Sequence, residues 1–246
     1  MQLCGQSTAS IFKETCQHGR KDQETTEREN RKMLEKPAPE KTVTPRAPRR
    51  EADWPESNLL VFRSQECAIN IPPEMHQRVA VTLALAEEAG AHFHHAMASL
   101  CLFLWRETGV LPNFFEVLQA RVVNSIIDGI KSQAQAKAIL RVNINGHTER
   151  CVCEASSTIE ALDDALRYAL IKKHPEIRAV APVDHSISLV RPDQIADKRV
   201  RVRITFTDGD SRYVVQGIDV NLEKALLRAL CEAYQYRIFR YRQATC

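Results

Sequence analysis

Residues 138–173 read AILRVNINGHTERCVCEASSTIEALDDALRYALIKK, and this stretch decides the fold. Its first half contains two segments in which apolar and polar residues alternate. They are joined by Asn145-Gly146, a dipeptide typical of a two-residue β-hairpin turn. Ser157 and its neighbours favour a helix N-terminus, and the apolar positions after them form one helical stripe. The stretch therefore predicts two strands followed by a helix.

The same order of elements occurs twice. The apolar, β-branched run ARVVNSII predicts a strand before the first hairpin. Further along, HSISLV and RVRITF predict strands, Asp208-Gly209 predicts a turn, and SRYVVQGI and NLEKALLRALCEAY predict a strand and a helix. Ala161 and Ala225 lie 64 residues apart at equivalent helix positions. The expected fold is therefore α+β, with two pseudo-repeated βββα units over about 114–173 and 184–240 that pack together.

Two further regions precede the repeats. Residues 1–57 carry 11 basic and 10 acidic side chains, several prolines and few apolar residues, so a disordered tail is expected. Residues 58–112 are expected to form a small helical connector. In it Pro72-Pro73 starts a first helix, Gly90 ends it, and a second helix with one apolar side follows. Residues 113–246 then form the domain that contains the repeats.

Composition limits the class of protein. Of the 246 residues, 26% are charged and 44% hydrophobic, and no apolar run approaches the ~20 residues that span a bilayer. Residues 1–20 lack the apolar stretch of a secretory signal, so we expect a cytoplasmic protein with no membrane partner. The net charge of +3 is too small to indicate nucleic acid. Arg199, Arg201 and Arg203 share a strand face without interleaved aromatic residues, so nucleic acid is not expected as a partner.

Closely spaced cysteines and histidines suggest metal binding at two places. The eight cysteines are expected to be reduced, since no secretory signal precedes them. Cys151 and Cys153 point to one strand face, but no second Cys-x-x-Cys supplies further ligands, so a structural role is favoured. His92, His94 and His95 lack a suitably spaced carboxylate or cysteine, and a surface histidine cluster is favoured there. No metal or other cofactor is predicted.

Several motifs in a fixed order carry a resemblance to a known family. EALDDALR at 160–167 is similar to a helix signature N-A-L-D-x-A-L-R. Gly217 and Asn221 match a pattern G-V-S-x-N-I-x-E-A, and NFFEV at 113–117 is similar to P-F-F-E-V. With these motifs, residues 70–240 resemble the C-terminal regulatory region shared by 2-isopropylmalate synthase and citramalate synthase. The helix pair before the NFFEV segment favours citramalate synthase.

The resemblance implies an assembly and a ligand. In this family the region dimerises and receives leucine or isoleucine near helix N-termini, where free backbone N–H groups suit a carboxylate. The effector-binding residues that it implies are Ser156, Ser157, Thr158, Ala161, Asp163, Gly217 and Asn221. Asp163 and Asp164 suit an ammonium group. The alternative is that two acidic residues early in a helix simply interact favourably with the positive end of the helix dipole.

Two departures from the family leave alternatives open. The usual G-x-G-P loop is replaced by Ala-Ser-Ser-Thr at 155–158, which removes both glycines that let a backbone approach a ligand closely. The alternative to an effector-binding domain is therefore a dimerisation or scaffolding module without a ligand. The family's catalytic barrel, of about 250 residues, and its Arg-Asp-Gly segment have no counterpart in this sequence. The chain is therefore expected not to be catalytic alone, and the resemblance implies that it forms a homodimer. A further alternative is the regulatory subunit of a split synthase, acting with a separately encoded catalytic subunit.

Overall fold

The computed structural model describes Cys67 and residues 69–126, 134–190 and 198–245, so the predicted tail over 1–57 lies outside the described residues. A helical connector comes first, with helix α1 (His76–Glu88) and helix α2 (Met97–Glu107). Single 3-10 turns precede each helix. Both helices fall where the proline pair, the glycine and the apolar spacing predict them.

The first repeat unit is an antiparallel sheet followed by a helix. Its strands are β1 (Glu116–Ile126), β2 (Ala134–Ile144) and β3 (His147–Ala155), in this order across the sheet, and its helix is α3 (Thr158–Leu170). Asn145 and Gly146 have positive φ angles of 52° and 85°, as the predicted two-residue turn requires. The face of β2 on the side of α3 is buried, and consists of Ala136, Ala138, Leu140, Val142 and Ile144.

The second repeat unit has the same order. Its strands are β4 (Ala181–Leu189), β5 (Val200–Thr207) and β6 (Arg212–Asp219), followed by helix α4 (Leu222–Thr245). Leu140 pairs with Cys151 in the first sheet. Their counterparts 64 positions later, Ile204 and Val215, pair in the second sheet. The predicted α+β fold with two βββα units is therefore confirmed, and the repeat extends to the strand register.

The connector packs on the second unit. Arg201, on the outer face of β5, donates a hydrogen bond from Nε to the carbonyl oxygen of Gly90 at 2.8 Å. Gly90 has φ +106°, and a Cβ there would collide with the Val190 side chain, so this approach requires glycine. Along β6, the Gln216 backbone N–H donates to the Ser99 hydroxyl of α2 at 2.8 Å. One end of α1 and one side of α2 are thereby fixed to the second sheet.

Helix α4 continues beyond its predicted end near Tyr234 and reaches Thr245. Its last turns are held by tertiary contacts: Ile238 is fully buried, and Phe239 packs edge-on against Trp105 of α2 with ring centroids 4.6 Å apart. Helices in proteins gain most of their stability from such packing. The local residue pattern therefore underestimates the length of α4.

A disulfide joins Cys67 to Cys101 of α2, with the two Cα atoms 5.2 Å apart. The prediction that every cysteine is reduced is wrong for this pair, because the connector brings together two cysteines that are 34 residues apart and buries both. Cys151, Cys153 and Cys231 are free thiols, and burial raises the pKa of each. Within the described ranges, no three His, Cys, Asp or Glu side chains converge to hold a metal ion. In those same ranges no helix has the length and apolar character to cross a bilayer.

Candidate functional site

A groove runs along the first half of α4, and we call it the α4 groove. It consists of two adjoining cavities of about 530 and 610 Å³, which share Val117, Lys224 and Leu227 as lining residues. The first cavity lies against the connector, and the second lies between β1, α3 and the N-terminus of α4. Cavities of this size accept small ligands. Of the effector residues expected from the sequence, Gly217 lines the first cavity and Asn221 the second.

Asn221 fixes the first turn of α4. Its side-chain oxygen accepts a hydrogen bond from the Lys224 backbone N–H at 2.8 Å, which caps the helix. The Asn221 backbone N–H donates to Asp219 at 3.2 Å, and this carboxylate also pairs with Lys224 and Arg228, at 3.3 and 3.1 Å. Although partial burial opposes it, these contacts lower the pKa of Asp219. One rim of the groove therefore carries two cations that share a single carboxylate.

Gly217 is required for the packing of α4 on β6. A Cβ at this position would collide with the carbonyl oxygen of Ala225 and lie 2.8 Å from the backbone nitrogen of Ala229, both on α4. The helix backbone therefore lies directly on the strand at this point. This packing role explains why glycine occurs here, and a role of Gly217 in ligand binding stays a prediction.

A carboxylate lies at the connector side of the groove. Glu232 of α4 accepts hydrogen bonds from the Ser99 hydroxyl and from Arg106, the latter at 3.2 Å, and both donors belong to α2. Arg106 also donates to Gln235 at 2.7 Å. Burial raises the pKa of Glu232. The groove thus contains both charge signs, with Glu232 and Arg106 at the connector and the cationic rim near the N-terminus of α4.

Apolar side chains line the space between these charges. Phe93 of the connector, Val117 at the start of β1, and Ile218 and Leu227 of the second unit supply them. A ligand with an acidic group, a basic group and a short hydrocarbon part would match these features.

Ser156, Ser157 and Thr158 line neither cavity of the α4 groove, and each has a protein partner. Ser157 accepts a hydrogen bond from the Glu160 backbone N–H at 3.3 Å, which makes it the N-cap of α3. The Ser156 hydroxyl donates to the Glu160 carboxylate, and the Thr158 hydroxyl donates to Asn124 of β1 at 2.9 Å. The predicted capping role is present. The structure does not bring these three residues together with Gly217 and Asn221 in one cavity.

Ala161 and Asp163 lie in the interior. Ala161 is fully buried, and Asp163 is 5% exposed. The Asp163 carboxylate accepts a hydrogen bond from the Tyr234 hydroxyl of α4 and another from Arg167 at 2.9 Å. The Arg167 guanidinium also lies 5.7 Å from the centre of the Tyr234 ring. Asp163 therefore connects the two repeat units. Neither the ammonium-binding interpretation nor the helix-dipole interpretation predicts this role.

Sequence reasoning missed the charged residues of the groove. Lys224, Arg228 and Glu232 follow one another at intervals of four, so they lie on one side of α4, and this spacing was a usable signal. The contribution of Ser99 and Arg106 had no such signal, because the tertiary structure places α2 against α4.

Comparison with known proteins identifies relatives of the chain. It is similar to the (R)-citramalate synthase of Geobacter sulfurreducens, at 30% identity over 193 residues, covering 75% of this chain and 35% of the relative. It is also similar to the (R)-citramalate synthase of Aquifex aeolicus, at 27% identity over 183 residues, covering 74% and 34%. A third relative is that of Sulfolobus acidocaldarius, at 30% identity over 150 residues, covering 61% and 27%. No family model matches the chain. The chain spans about a third of the length of these curated relatives.

Proposed function

We propose that this chain, which belongs to the 2-isopropylmalate/citramalate synthase family through its regulatory domain, acts as an amino-acid-responsive regulator in branched-chain amino acid biosynthesis. Its effector is leucine or isoleucine, and its target is a synthase of the citramalate type. The domain is a homodimer, and it does not itself catalyse the reaction of the synthase. The observation that carries the proposal is the α4 groove, which combines both charge signs with apolar walls inside the family-related domain.

The chemistry of the groove suits a small aliphatic amino acid. Lys224 and Arg228 lie beside the N-terminal end of α4, where the helix dipole also favours a carboxylate. Glu232 at the connector, which already accepts from Ser99 and Arg106, has lone pairs left to accept a further hydrogen bond from an ammonium group. Burying an aliphatic side chain against Leu227 and Val117 contributes about 2 kcal/mol. A ligand held in this way contacts the connector and the second repeat unit together.

The test is thermal unfolding of the full chain in the presence of each standard amino acid. A ligand at ten times its Kd adds about 1.4 kcal/mol to the free energy of unfolding, which raises the Tm of a domain of this size by about 3–6 °C. We expect this shift with leucine or isoleucine. Lys224→Ala combined with Arg228→Ala should abolish it, and the control Lys172→Ala, outside the groove, should retain it.

A second variant separates the two candidate binding places. Ser157→Trp fills the space at the N-terminus of α3, and Ser157 is not a lining residue of the groove. If the effector lies in the α4 groove, this variant has a lower starting Tm through loss of the N-cap but keeps the ligand-induced shift. Loss of the shift in Ser157→Trp, with the groove variants unaffected, would move the effector to the α3 N-terminus.

The second candidate function is a dimerisation or scaffolding module without an effector. The internal partners of Ser156, Ser157 and Thr158 favour it, because each of these hydroxyls already has a hydrogen-bond partner within the protein. This alternative predicts no shift from any amino acid and an intact dimer. The split-synthase alternative predicts in addition that a catalytic subunit co-elutes with this chain in sizing chromatography.

A further inference from the structure

A cluster of basic side chains lies where the connector meets the second sheet, and we call it the histidine–arginine cluster. It consists of His92, His94 and His95, in and beside the 3-10 turn before α2, and of Arg201 and Arg203 on β5. The two arginines are two positions apart on one strand, so their side chains leave the same face of the sheet. The ring centroids of His92 and His94 are 5.6 Å apart, and those of His94 and His95 are 3.9 Å apart.

Arg201 is a buried cation without a counterion. It is 5% exposed, and its Nε and Nη2 both donate to the carbonyl oxygen of Gly90, at 2.8 Å from Nε. No carboxylate in the part of the chain that the structure describes forms an ion pair with Arg201. Burial and the neighbouring charge of Arg203 lower the pKa of its guanidinium. Because a buried charge is costly when no opposite charge balances it, an anion close to this guanidinium would stabilise it.

The other members of the cluster face solvent without a partner of opposite charge. Arg203 is half-buried, and it makes no hydrogen bond or ion pair with any described residue. The three histidines are exposed, and their ring nitrogens have no hydrogen-bond partner within the same ranges. Asp184 of β4 is an acid on this face of the sheet, opposite Thr205, but it forms no ion pair with either arginine. The cluster therefore presents several N–H donors and no paired carboxylate.

The charges that act on the histidines all have the same sign. Partial burial and four positive neighbours lower the pKa of His92, and these neighbours are Arg201, His94, His95 and Arg203. The pKa of His95 is lowered chiefly by His94, and further by desolvation and by the two arginines. A bound anion has the opposite effect, because it favours the charged form of an imidazole. Anion binding at the cluster should therefore take up protons and become stronger as the pH falls.

We propose that the histidine–arginine cluster binds a dianionic phosphate group, either inorganic phosphate or the terminal phosphate of a small phosphate ester. Arg203 donates to the phosphate oxygens from one side, and the imidazolium groups of His92 and His94 donate from the other. One phosphate group, with hydrogen bonds of about 2.8 Å on two sides, spans the 5.6 Å between these two rings. Two guanidinium groups and three imidazoles match a double negative charge better than the single charge of a carboxylate.

The site spans the contact between the connector and the second repeat unit. The His92 backbone N–H donates to the Gln216 side chain at 3.1 Å, and Arg201 donates to Gly90, so both segments are already joined here. A phosphate group held by His92 and Arg203 adds a further link between them and should raise the Tm. None of the five cluster residues lines the α4 groove, so the inference does not rest on the proposed function.

The test is isothermal titration calorimetry of the full chain with sodium phosphate at pH 7 and constant ionic strength. We expect saturable binding, with a rise in Tm of about 3–6 °C at ten times the Kd. Arg203→Gln removes a charged donor and should raise the Kd by about tenfold. Arg212→Gln is the matched control, because Arg212 is exposed on the same sheet face, opposite Thr207, and it should leave the Kd unchanged. Dimethyl phosphate, which carries one charge, should bind about tenfold more weakly than phosphate.

Sulfate tests the contribution of the histidines. It remains a dianion between pH 8 and pH 5.5, whereas a phosphate ester takes up a proton near about pH 6. The affinity of the wild-type chain for sulfate should rise by about fivefold or more as the pH falls through this interval. His94→Asn combined with His95→Asn changes two exposed positions and should remove most of this rise.

The controls determine whether the cluster is the binding site. An equal rise in Tm with sodium chloride at the same ionic strength, or an equal loss of binding in Arg212→Gln, would show general charge screening and overturn the inference. Unchanged phosphate binding in Arg203→Gln would also overturn it. If Arg203→Gln does not fold, as judged by circular dichroism, the histidine double variant decides, and an unchanged pH dependence for sulfate then refutes the proposal.

The groove variant separates this inference from the proposed function. Lys224→Ala combined with Arg228→Ala should keep the phosphate binding, because neither residue belongs to the cluster. Loss of phosphate binding in this variant, with Arg203→Gln unaffected, would place the anion in the α4 groove and overturn the inference. The response to amino acids is measured separately, so the proposed function can fail while the phosphate site stands.

Discussion

The buried contact between Tyr234 and Asp163 should be the most important polar link between the two repeat units. Tyr234 is fully buried in α4, and its hydroxyl donates to the carboxylate of Asp163 in α3. We predict that Tyr234→Phe destabilises the domain while preserving its fold, because the ring keeps its packing and only the donor is lost.

The size of the effect follows from the partners. A hydrogen bond to a charged group contributes about 1.5–3 kcal/mol, and the variant leaves one carboxylate oxygen buried without a donor. Arg167 still pairs with the other oxygen, at 2.9 Å. We therefore expect Tyr234→Phe to reduce the free energy of unfolding by about 2 kcal/mol, which lowers Tm by about 4–8 °C.

Urea unfolding at pH 7, followed by circular dichroism, measures this difference. Tyr241→Phe is the matched control, because Tyr241 lies on the same helix but is 45% exposed, and it should change the free energy of unfolding by less than about 0.5 kcal/mol. A loss below about 0.5 kcal/mol in Tyr234→Phe would refute the argument that this hydroxyl holds the units together. A double-mutant cycle with Asp163→Asn should give a coupling free energy of about 1 kcal/mol or more.

Three further predictions concern other buried positions. Burial lowers the pKa of His174, which is 1% exposed, so the unfolded chain binds a proton that the folded chain does not. Stability should fall as pH drops below about 6.5, by up to about 1.4 kcal/mol per pH unit, and His174→Leu should flatten this slope in urea titrations between pH 7 and 5. Gly217→Ala should cost about 1–3 kcal/mol by forcing α4 away from β6, measured by urea unfolding, and an unchanged midpoint would contradict the close approach. Burial raises the pKa of Tyr213 and Tyr234, so stability should be full below about pH 10 and fall above it, as tyrosinate absorbance and circular dichroism should show together.

The elements that the sequence predicts well are those specified by neighbouring residues. The turn at Asn145-Gly146 and the α3 cap at Ser157 depend on residues within four positions, and both occur as predicted. Because the same order of predicted strands and helix occurs twice in the sequence, each unit supports the prediction made for the other. The disulfide between Cys67 and Cys101 and the last turns of α4 depend on contacts between distant segments, and local patterns carry no information about them.

The candidate site was predicted only in part for the same reason. Gly217 and Asn221 belong to a local strand-to-helix motif, and both line the α4 groove. Asp163 was assigned from its place in a helix, whereas its partner Tyr234 lies 71 residues away and decides its environment. The carboxylate of Glu232 belongs to the groove only because α2 packs beside it. Ligand binding by these residues remains a prediction.

The length of α4 has a mechanical consequence. Its 24 residues form one uninterrupted rod of about 36 Å, with the groove along its first half and Trp105 of α2 packed against Phe239 in its second half. A tilt of about 5° at the first turn displaces Phe239, which lies about 26 Å further along the axis, by about 2 Å. Because α4 is uninterrupted, a change in its tilt at the first turns also moves Phe239 and changes its contact with Trp105 of α2.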